Sequence, residues 1–385
     1  MSKKQLISLF ICSLVPLTAG NGLMPILPVY ATKMGAGPAL IGYYLGFAFL
    51  FLTIGTIIAG WISDKLQRRK ALLITMGIGL IPAVWLMGMV SNIWQLAVLT
   101  ATAWFLYGIQ IALINILTGL FAEEDQRGKI FGIIRLTMGL GYLIGGLTSG
   151  PMVDLWGYPA MFKVFALFSV ILPLTGVLLE DRVVSEIPTD KPSPTKARTR
   201  LTGALLFLVT AVIVSQVPRF AGQIGRSLIM NERGFATAAI SSTAAVTGAI
   251  SLPLYLLFGW LSDRVGRKRL IGLCYLAYSI GMLILAFSVS LWHFYVFTSS
   301  LAFMLVSTSV GSALVTDLVP QESLGRGMSL LQASTWGAGI IGYSCAGYAF
   351  QSLGMTSSVI LFAFLPLLAI LLLIPIREAK RKERV

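Results

Sequence analysis

Charged residues are scarce in this sequence of 385 residues, where they make up 11% of the total. A soluble globular domain carries about 25%. Their place is taken by apolar runs of about 20 residues, each long enough to cross a hydrocarbon layer about 30 Å thick as a helix. Hydrophobic residues reach 56%, and the mean hydropathy is +0.85. This composition excludes a soluble protein and predicts an all-α polytopic membrane protein.

Histidine and cysteine are also rare, with one His and three Cys in the whole chain. Cys12, Cys274 and Cys345 lie inside apolar runs without metal-site spacing, and we interpret them as small buried hydrophobic residues. The single His293 does not allow a Ser/His/Asp or Cys/His catalytic set. A phosphate loop of the type G-x-x-x-x-G-K-[ST] is missing, which argues against pumping driven by ATP. We therefore predict no enzyme, no metal site and no cofactor.

The sequence has a formal net charge of +14. The positions of the basic residues show whether this charge indicates a nucleic-acid partner or a membrane orientation. Of the 29 Lys and Arg residues, 23 fall at both termini and in alternate breaks between the apolar runs. The other breaks hold Lys33, Lys163 and Arg233. This asymmetry follows the positive-inside rule. It predicts cytoplasmic termini, an integral protein of a prokaryotic plasma membrane and no nucleic-acid partner.

Twelve apolar runs follow one another, an even number that agrees with two termini on one side. Their predicted bounds are 5–31, 38–60, 71–90, 93–121, 129–150, 159–180, 201–229, 236–260, 269–288, 290–317, 325–348 and 354–376. The longest hydrophilic stretch contains three prolines and separates six runs from six. The predicted domains are an N-terminal six-helix bundle at 1–180, a cytoplasmic linker at 181–200 and a C-terminal six-helix bundle with a short basic tail at 201–385.

A basic turn between two apolar runs occurs twice in the chain. Residues 60–70 read GWISDKLQRRK and residues 259–269 read GWLSDRVGRKR, at an offset of 199 residues. The same offset relates two further pairs, which are Arg127-Gly128 with Arg326-Gly327 and Gly35 with Gly234. Three pairs in register indicate two copies of one structural unit.

These turns resemble the signature G-x-x-x-D-R-x-G-R-[RK] of the major facilitator superfamily. The stretch Asn21-Gly22-Leu23-Met24-Pro25-x-x-Pro28 resembles its drug:proton antiporter branch. The resemblance covers essentially the whole chain and implies two pseudo-symmetric bundles of six transmembrane helices. It also implies a cytoplasmic gate that stabilises the outward-open state. The gate residues are then Gly60, Asp64, Arg68, Arg69, Gly259, Asp263, Arg264 and Arg267.

The carboxylates of this signature have a physical role at the gate. Asp64 or Asp263 can pair with a neighbouring Arg and cap a nearby helix N-terminus. Such a pair is strong while dry and weak when water enters, which suits a gate that breaks in every cycle. The alternative is that the basic residues only anchor the turns on the cytoplasmic side.

The chain departs from the antiporter pattern at two places. The fifth run should read G-x8-G-x3-G-P-x2-G-G, but Gly146 replaces the proline and Ser149 the penultimate glycine. Trp104 stands in the fourth run where the resemblance implies a proton-linked arginine. Both substitutions weaken the expectation of proton antiport without changing the expected fold.

Ionisable residues at membrane depth cost about 2.5–3.5 kcal/mol or more each, so they are candidates for function. Gln216, Arg219, Gln223 and Arg226 are spaced by three, four and three residues. This spacing places them within an arc of about 80° on one helix face. We expect the stripe to face a water-filled cavity, where Arg219 and Arg226 bind an acidic group of a substrate. For Arg226 the alternative is a position near the outer surface with its head group in water.

Other polar residues inside the apolar runs leave alternatives open. Arg135 either lines the cavity or pairs with Asp64 at the inner gate. The neutral groups either line the cavity or form interhelical hydrogen bonds, and they are Asn21, Tyr107, Gln110 and Asn115. Carboxylates are scarce at membrane depth, and Asp154, just past the outer end of the fifth run, is the candidate for proton coupling.

The resemblance implies a secondary transporter that moves a small organic molecule by rocker-switch alternating access. We expect export by a monomer in the lipid bilayer, with an anionic or amphipathic substrate and protons as the candidate coupling ion. One alternative is facilitative or symport uptake of an organic anion, which the arginine stripe and the missing proton signature favour. Another is a membrane sensor that transports nothing, which would need an appended signalling domain or a long tail.

Overall fold

The computed structural model describes residues 1–66, 68–122, 126–180, 203–319 and 324–376, and only the backbone of residues 64, 127, 128, 263 and 324–326. Within these ranges the chain folds into helices and turns. The helices are α1 (Lys3–Leu23), α2 (Leu27–Lys33), α3 (Pro38–Leu66), α4 (Arg69–Met87), α5 (Ile93–Phe121), α6 (Arg127–Ser169), α7 (Ile171–Gly176), α8 (Gly203–Glu232), α9 (Thr237–Val265), α10 (Arg267–Ala286), α11 (Leu291–Leu318), α12 (Leu324–Leu353), α13 (Met355–Ala363) and α14 (Leu365–Leu373).

These helices build twelve membrane-crossing segments, as the sequence predicts. The first segment is broken between α1 and α2, where Pro25 and Pro28 remove backbone donors. Helix α6 has 43 residues, a length of about 65 Å that is twice the hydrocarbon thickness. Gly157, at φ 78°, divides it into two segments. The last segment is broken at Phe364, just before Pro366.

The two sets of six segments have the same internal packing. Helix α3 packs on α5 as α9 packs on α11, and α1 packs on α6 as α8 packs on α12. The largest contacts between the sets are α6 with α9 and α3 with α12. A shift by six segments turns one of these contacts into the other, so the two bundles are related by a pseudo-twofold axis. The predicted linker at 181–200 lies outside the described residues, and its boundaries remain a prediction.

The repeat offset is not constant along the chain. Gly35 and Gly234, both at positive φ (81° and 75°), keep the offset of 199 residues. Gly157 and Gly354, at φ 78° and 81°, are 197 residues apart. The pair Arg127-Gly128 and Arg326-Gly327 therefore does not occupy equivalent positions in the two helices, although its offset matches that of the basic turns.

The bundle has two faces that differ in their loops. The face with the two basic turns is called the basic face. The face with the positive-φ glycines Gly35, Gly157, Gly234 and Gly354 is called the opposite face, whereas a fifth, Gly266 (φ 98°), lies in the second basic turn. The bundles approach each other most closely in the half near the opposite face. There a Cβ added to Gly42 of α3 would lie 2.7 Å from Cα of Gly347 on α12, and one added to Gly150 of α6 would lie 2.6 Å from Cα of Ala238 on α9. Glycines at these places bring two backbones into contact, the usual way in which helices associate in lipid.

Candidate functional site

Two adjoining cavities lie between the bundles. Four residues line both of them, which are Leu17, Ile111, Met138 and Trp336, so the cavities are treated as one central cavity. The larger part lies toward the basic face and the smaller part near the middle of the membrane. Sites that bind small organic ligands often lie at such positions between the helices of a bundle.

The part toward the basic face contains polar side chains that are exposed to solvent. Arg135 of α6 and Asn115 of α5 line it, and both side chains are exposed although they lie well inside their helices. Ser13 and Thr137 share a hydrogen bond of 2.8 Å in the wall between α1 and α6. Of the two predicted positions for Arg135, the structure therefore places it in the cavity wall. The Asp64 side chain, its other predicted partner, is not described.

The deeper part contains Arg219 of α8, of which 6% is exposed. Its Nη1 donates to Oε1 of Gln216 at 2.9 Å, and its Cζ lies 5.1 Å from the ring centroid of Phe220. Among the described residues that line the two cavities there is no Asp or Glu. Arg135 and Arg219 therefore give the cavity a positive charge that its own walls do not neutralise.

Three polar atoms of the deep wall have no hydrogen-bond partner in the described protein. They are Nε of Arg219, Nε1 of Trp336 and the hydroxyl of Tyr107. The first two can only donate, and the third donates as readily as it accepts. A buried donor without a partner is unfavourable by about 1–3 kcal/mol. A ligand rich in acceptor oxygens would satisfy all three.

A polar layer closes the cavity toward the opposite face. Nε2 of Gln223 donates to the hydroxyl of Tyr142 at 3.3 Å, and the hydroxyl of Tyr343 donates to Oε1 of Gln223 at 2.9 Å. The three residues come from α8, α6 and α12, so the layer joins both bundles. The rings of Phe49, Phe220 and Tyr343 meet beside it, with centroids 5.0–5.2 Å apart.

Arg226 lies beyond this layer, two turns along α8 from Arg219. Only 3% of it is exposed and it is not among the residues that line the cavity, so neither predicted position describes it. Its electrostatic neighbours are Tyr142, Tyr278 and Tyr343, and its Nε has no hydrogen-bond partner in the described part of the chain. It is a buried cation, closed off from the cavity in this conformation.

The remaining predicted cavity residues divide into two groups. Asn21 and Tyr107 line the deep part, where Nδ2 of Asn21 donates to Sδ of Met138 at 3.7 Å. Gln216 and Gln110 do not line it. Gln216 is the acceptor for Arg219, and Nε2 of Gln110 donates to the carbonyl of Met76 on α4 at 3.1 Å. The interhelical alternative therefore describes Gln110.

Asp154 is remote from the cavity. It is exposed on the opposite face, three residues before the break of α6 at Gly157, and its carboxylate accepts hydrogen bonds from the first backbone N–H groups of α9. This position is not the midplane site of a buried proton carrier.

Sequence reasoning missed the aromatic wall. Trp336, Phe49 and Phe220 line the deep part, with Trp104 beside them. Trp336, directly before Gly337 in a glycine-rich stretch of α12, was not among the predicted cavity residues. An aromatic residue inside an apolar run gives no periodic signal of its own. Residues of the same type face lipid elsewhere in the chain, so the residue type does not distinguish a cavity wall from a lipid-facing surface.

The basic turns form different contacts in the two bundles. In the first turn, Nε of Arg69 donates to Oγ of Ser63 at 2.8 Å, and Arg68 is exposed. In the second turn, Arg267 forms a salt bridge of 2.7 Å with Asp317 at the end of α11. Arg264 lies over the ring of Trp260 at 4.0 Å from its centroid. Asp317 is thus a partner of the predicted gate residue Arg267 that sequence analysis did not name, and the side chains of Asp64 and Asp263 lie outside the described residues.

No described residue packs against the two signature glycines in this conformation. A Cβ added to Gly60 or to Gly259 would meet no atom of the described residues within 4 Å. Glycine is therefore not required there by any neighbour present in this state.

The sequence profile of the Major Facilitator Superfamily matches residues 9–228 and 224–385, which together make up nearly the whole chain. The chain belongs to the Major Facilitator Superfamily. This membership agrees with the twelve segments, the pseudo-twofold axis and the central cavity, and it confirms the resemblance seen in the basic turns.

The curated relatives of this superfamily member include multidrug resistance proteins MdtG. The protein from Klebsiella pneumoniae (strain 342) is 26% identical over 266 residues, which are 64% of this chain and 63% of the relative. The protein from Proteus mirabilis (strain HI4320) is 27% identical over 287 residues, which are 68% of this chain and 67% of the relative. The aligned part is thus slightly less than two thirds of the length of the Klebsiella relative.

Solved structures of transporters have the same fold. The nucleoside transporter NupG superposes with a TM-score of 0.74 over 98% of this chain and 100% of that chain, at 15% identity. The peptide transporter POT in complex with sulfate superposes with a TM-score of 0.77 over 97% of this chain and 94% of that chain, at 15% identity. At these identities the likeness concerns the fold alone.

Proposed function

We propose that this chain is a secondary transporter that exports small organic molecules carrying an acidic group, by exposing its central cavity to each face in turn. The observation that carries the proposal is a cavity with two arginines, several unpartnered donors and no carboxylate among its described lining residues. Family membership supports transport, and the lining supports the substrate class.

The electrostatic argument starts from the cost of placing a cation at membrane depth. Each arginine at the centre of a bilayer is unfavourable by about 2.5–3.5 kcal/mol on insertion scales. In the cavity the wall gives Arg219 one neutral acceptor, Oε1 of Gln216. An acidic substrate offsets the cost by charge-assisted hydrogen bonds, which are about twice as strong as neutral ones. A cationic substrate would raise it.

The apolar part of the wall supports a substrate with an organic body. Six aromatic side chains line the deep part of the cavity, and they are Phe49, Trp104, Tyr107, Tyr142, Phe220 and Trp336. Aromatic walls bind flat or bulky apolar groups, and a few polar groups set the orientation. The proposed substrate is therefore an amphipathic acid rather than a small inorganic anion.

The conformation supports loading from the basic face. The cavity is accessible from that face through the exposed Arg135 and Asn115, and the Gln223 layer closes the other side. Since the basic face is the predicted cytoplasmic side, this is the state that would accept a substrate from inside the cell. The MdtG relatives are multidrug resistance proteins, and this name supports export.

Uptake of an organic anion is the second candidate. It is favoured by the same two arginines together with Trp104, which stands where the antiporter pattern has a proton-linked arginine. Both candidates share the cavity and the substrate class, and they differ in direction and coupling.

Reconstituted vesicles test the proposal. Purified protein is placed in proteoliposomes, and uptake of aromatic carboxylic acids is compared with uptake of cationic drugs of similar size, with and without an imposed pH gradient. We expect faster flux for the acids. Gradient-driven flux of the cations alone would contradict the substrate class, and acid flux unaffected by the gradient would favour the facilitative alternative.

A further inference from the structure

Two side chains join the bundles at the opposite face, and each accepts from the N-terminus of a helix in the other bundle. Oδ1 and Oδ2 of Asp154 on α6 accept from the N–H groups of Thr237 (3.2 Å) and Ala238 (2.7 Å) at the start of α9. Oε1 of Gln351 on α12 accepts from the N–H of Ala39 (3.1 Å) at the start of α3. The first N–H groups of a helix have no partner inside it. Each side chain therefore caps a helix across the bundle interface.

The two caps are equivalent under the pseudo-twofold axis. Each acceptor stands three residues before a positive-φ glycine, and the alanine donor of each cap stands four residues after one. The glycines are Gly157 and Gly354 after the acceptors, and Gly234 and Gly35 before the donors. The same backbone device is thus built twice, once with a carboxylate and once with a neutral amide.

We propose that Asp154 and Gln351 together form the latch that holds the opposite face closed, and that release of both caps is the step that opens the cavity to that face. Two observations support the latch, which are the position of the caps and the close packing of the helices beneath them. Below each cap the bundles meet through small residues, Gly150 with Ser241 and Gly42 with Gly347. These backbone contacts are short, and the side-chain caps lie at the ends of the two seams.

The two halves of the latch differ in strength. A carboxylate at a helix N-terminus is favoured by the helix dipole, and its hydrogen bonds are charge-assisted. Asp154 has this advantage and accepts two bonds, whereas neutral Gln351 accepts one. Both side chains are exposed, so water can replace the bonds as they break. The α3–α12 side is therefore the one that opens first.

The test measures the distance between the bundles without any substrate. Spin labels are attached at Met89 and Val289, which lie in loops of the opposite face on different bundles and are 65% and 64% exposed. The three native cysteines are replaced by alanine, and the protein is studied in lipid nanodiscs by pulsed electron paramagnetic resonance. The readout is a population ratio. It divides the population at the long distance, in which the opposite face is open, by the population at the short distance, in which it is closed.

Removal of the caps should shift this ratio stepwise. Substitution of an N-cap acceptor by Ala typically changes a helix-end equilibrium by about fivefold. We expect Asp154→Ala and Gln351→Ala each to raise the ratio of open to closed population by about fivefold. The double variant should raise this ratio further. Asp154→Asn keeps one acceptor and should lie between the wild type and Asp154→Ala. Gln351→Glu places a carboxylate at the N-terminus of α3 and should lower the ratio below that of the wild type.

Ser352→Ala is the matched control, because the Ser352 hydroxyl donates within α12 to the carbonyl of Tyr348. An unchanged ratio in the double variant, or an equal change in Ser352→Ala, would overturn the latch. An increase with Gln351→Glu would overturn it independently, even if an alanine variant fails to fold. Since no substrate is present, these outcomes are separate from a failure of the proposed transport activity.

Discussion

The backbone N–H of Gly150 on α6 donates to Oγ of Ser241 on α9 at 3.0 Å, across the seam between the two bundles. A peptide group and a hydroxyl meet there directly because Gly150 has no side chain. The seam between α3 and α12 has Gly42 against Gly347 at the corresponding place. The closed state of the opposite face therefore depends on residues that are small, and this dependence can be tested at single positions.

Gly150→Ala should destabilise the closed opposite face. The added Cβ would lie 2.6 Å from Cα of Ala238, and overpacking of this kind costs about 1–3 kcal/mol. We expect a lower melting temperature in detergent and at least a tenfold loss of transport. Gly132→Ala on the same helix is the control, since its Cβ would meet nothing within 4 Å and a helical Gly→Ala change stabilises by up to about 1 kcal/mol. Equal melting temperatures for the two variants would contradict the prediction.

Arg219→Gln should reduce transport of acidic substrates by about 10- to 100-fold. Hydrogen bonds to charged groups contribute about 1.5–3 kcal/mol, and the variant removes the charge while keeping a donor. Arg219→Lys should recover part of the activity, because the charge returns without the planar fork of the guanidinium. The control is Arg233→Gln, which changes an exposed arginine just after α8. The measurement is substrate flux in proteoliposomes. Full activity of Arg219→Gln would show that Arg219 does not bind the substrate.

The seventh segment shows how far periodicity predicts a site. Helical spacing places Arg219 and Arg226 on one face, and both are indeed buried inside the protein. Spacing does not tell where the cavity ends along that face. Seven residues of helix rise about 10 Å, and within that distance the Gln223 layer separates one arginine from the cavity. The layer depends on Tyr142 and Tyr343, which are distant in sequence and carry no motif.

Neutral polar residues were harder to place than charged ones. Gln110 bonds to a backbone carbonyl of α4, whereas Asn115, about one turn further along α5, is exposed to the cavity. In an apolar run both residues have the same signature, because an interhelical hydrogen bond and a ligand contact require the same chemistry. The fold itself was predictable because run length, charge asymmetry and internal repetition all point to one architecture.

Gly60→Val and Gly259→Val should block transport while leaving the present conformation intact. A Cβ at either position meets no atom of the described residues within 4 Å now, so we expect an unchanged melting temperature. Closure of the basic face brings other segments toward these turns, and a valine would then obstruct it. The expected result is substrate binding within about twofold of the wild type and at least a tenfold lower transport rate. Transport at the wild-type rate would mean that the basic face closes without approach to these glycines.

Arg226→Met should make the protein more stable and less active. Arg226 is buried without an acidic partner in the described chain, and an arginine at the bilayer centre costs about 2.5–3.5 kcal/mol. Methionine has a similar length and no charge, so it removes this cost without leaving a large void. We expect a melting temperature several degrees higher, as for a stabilisation of about 1–3 kcal/mol. If opening of the opposite face brings Arg226 into the cavity, transport of acidic substrates falls in the same variant. A lower melting temperature would show instead that Arg226 stabilises the fold through its tyrosine neighbours, and unchanged transport would exclude it from the substrate path.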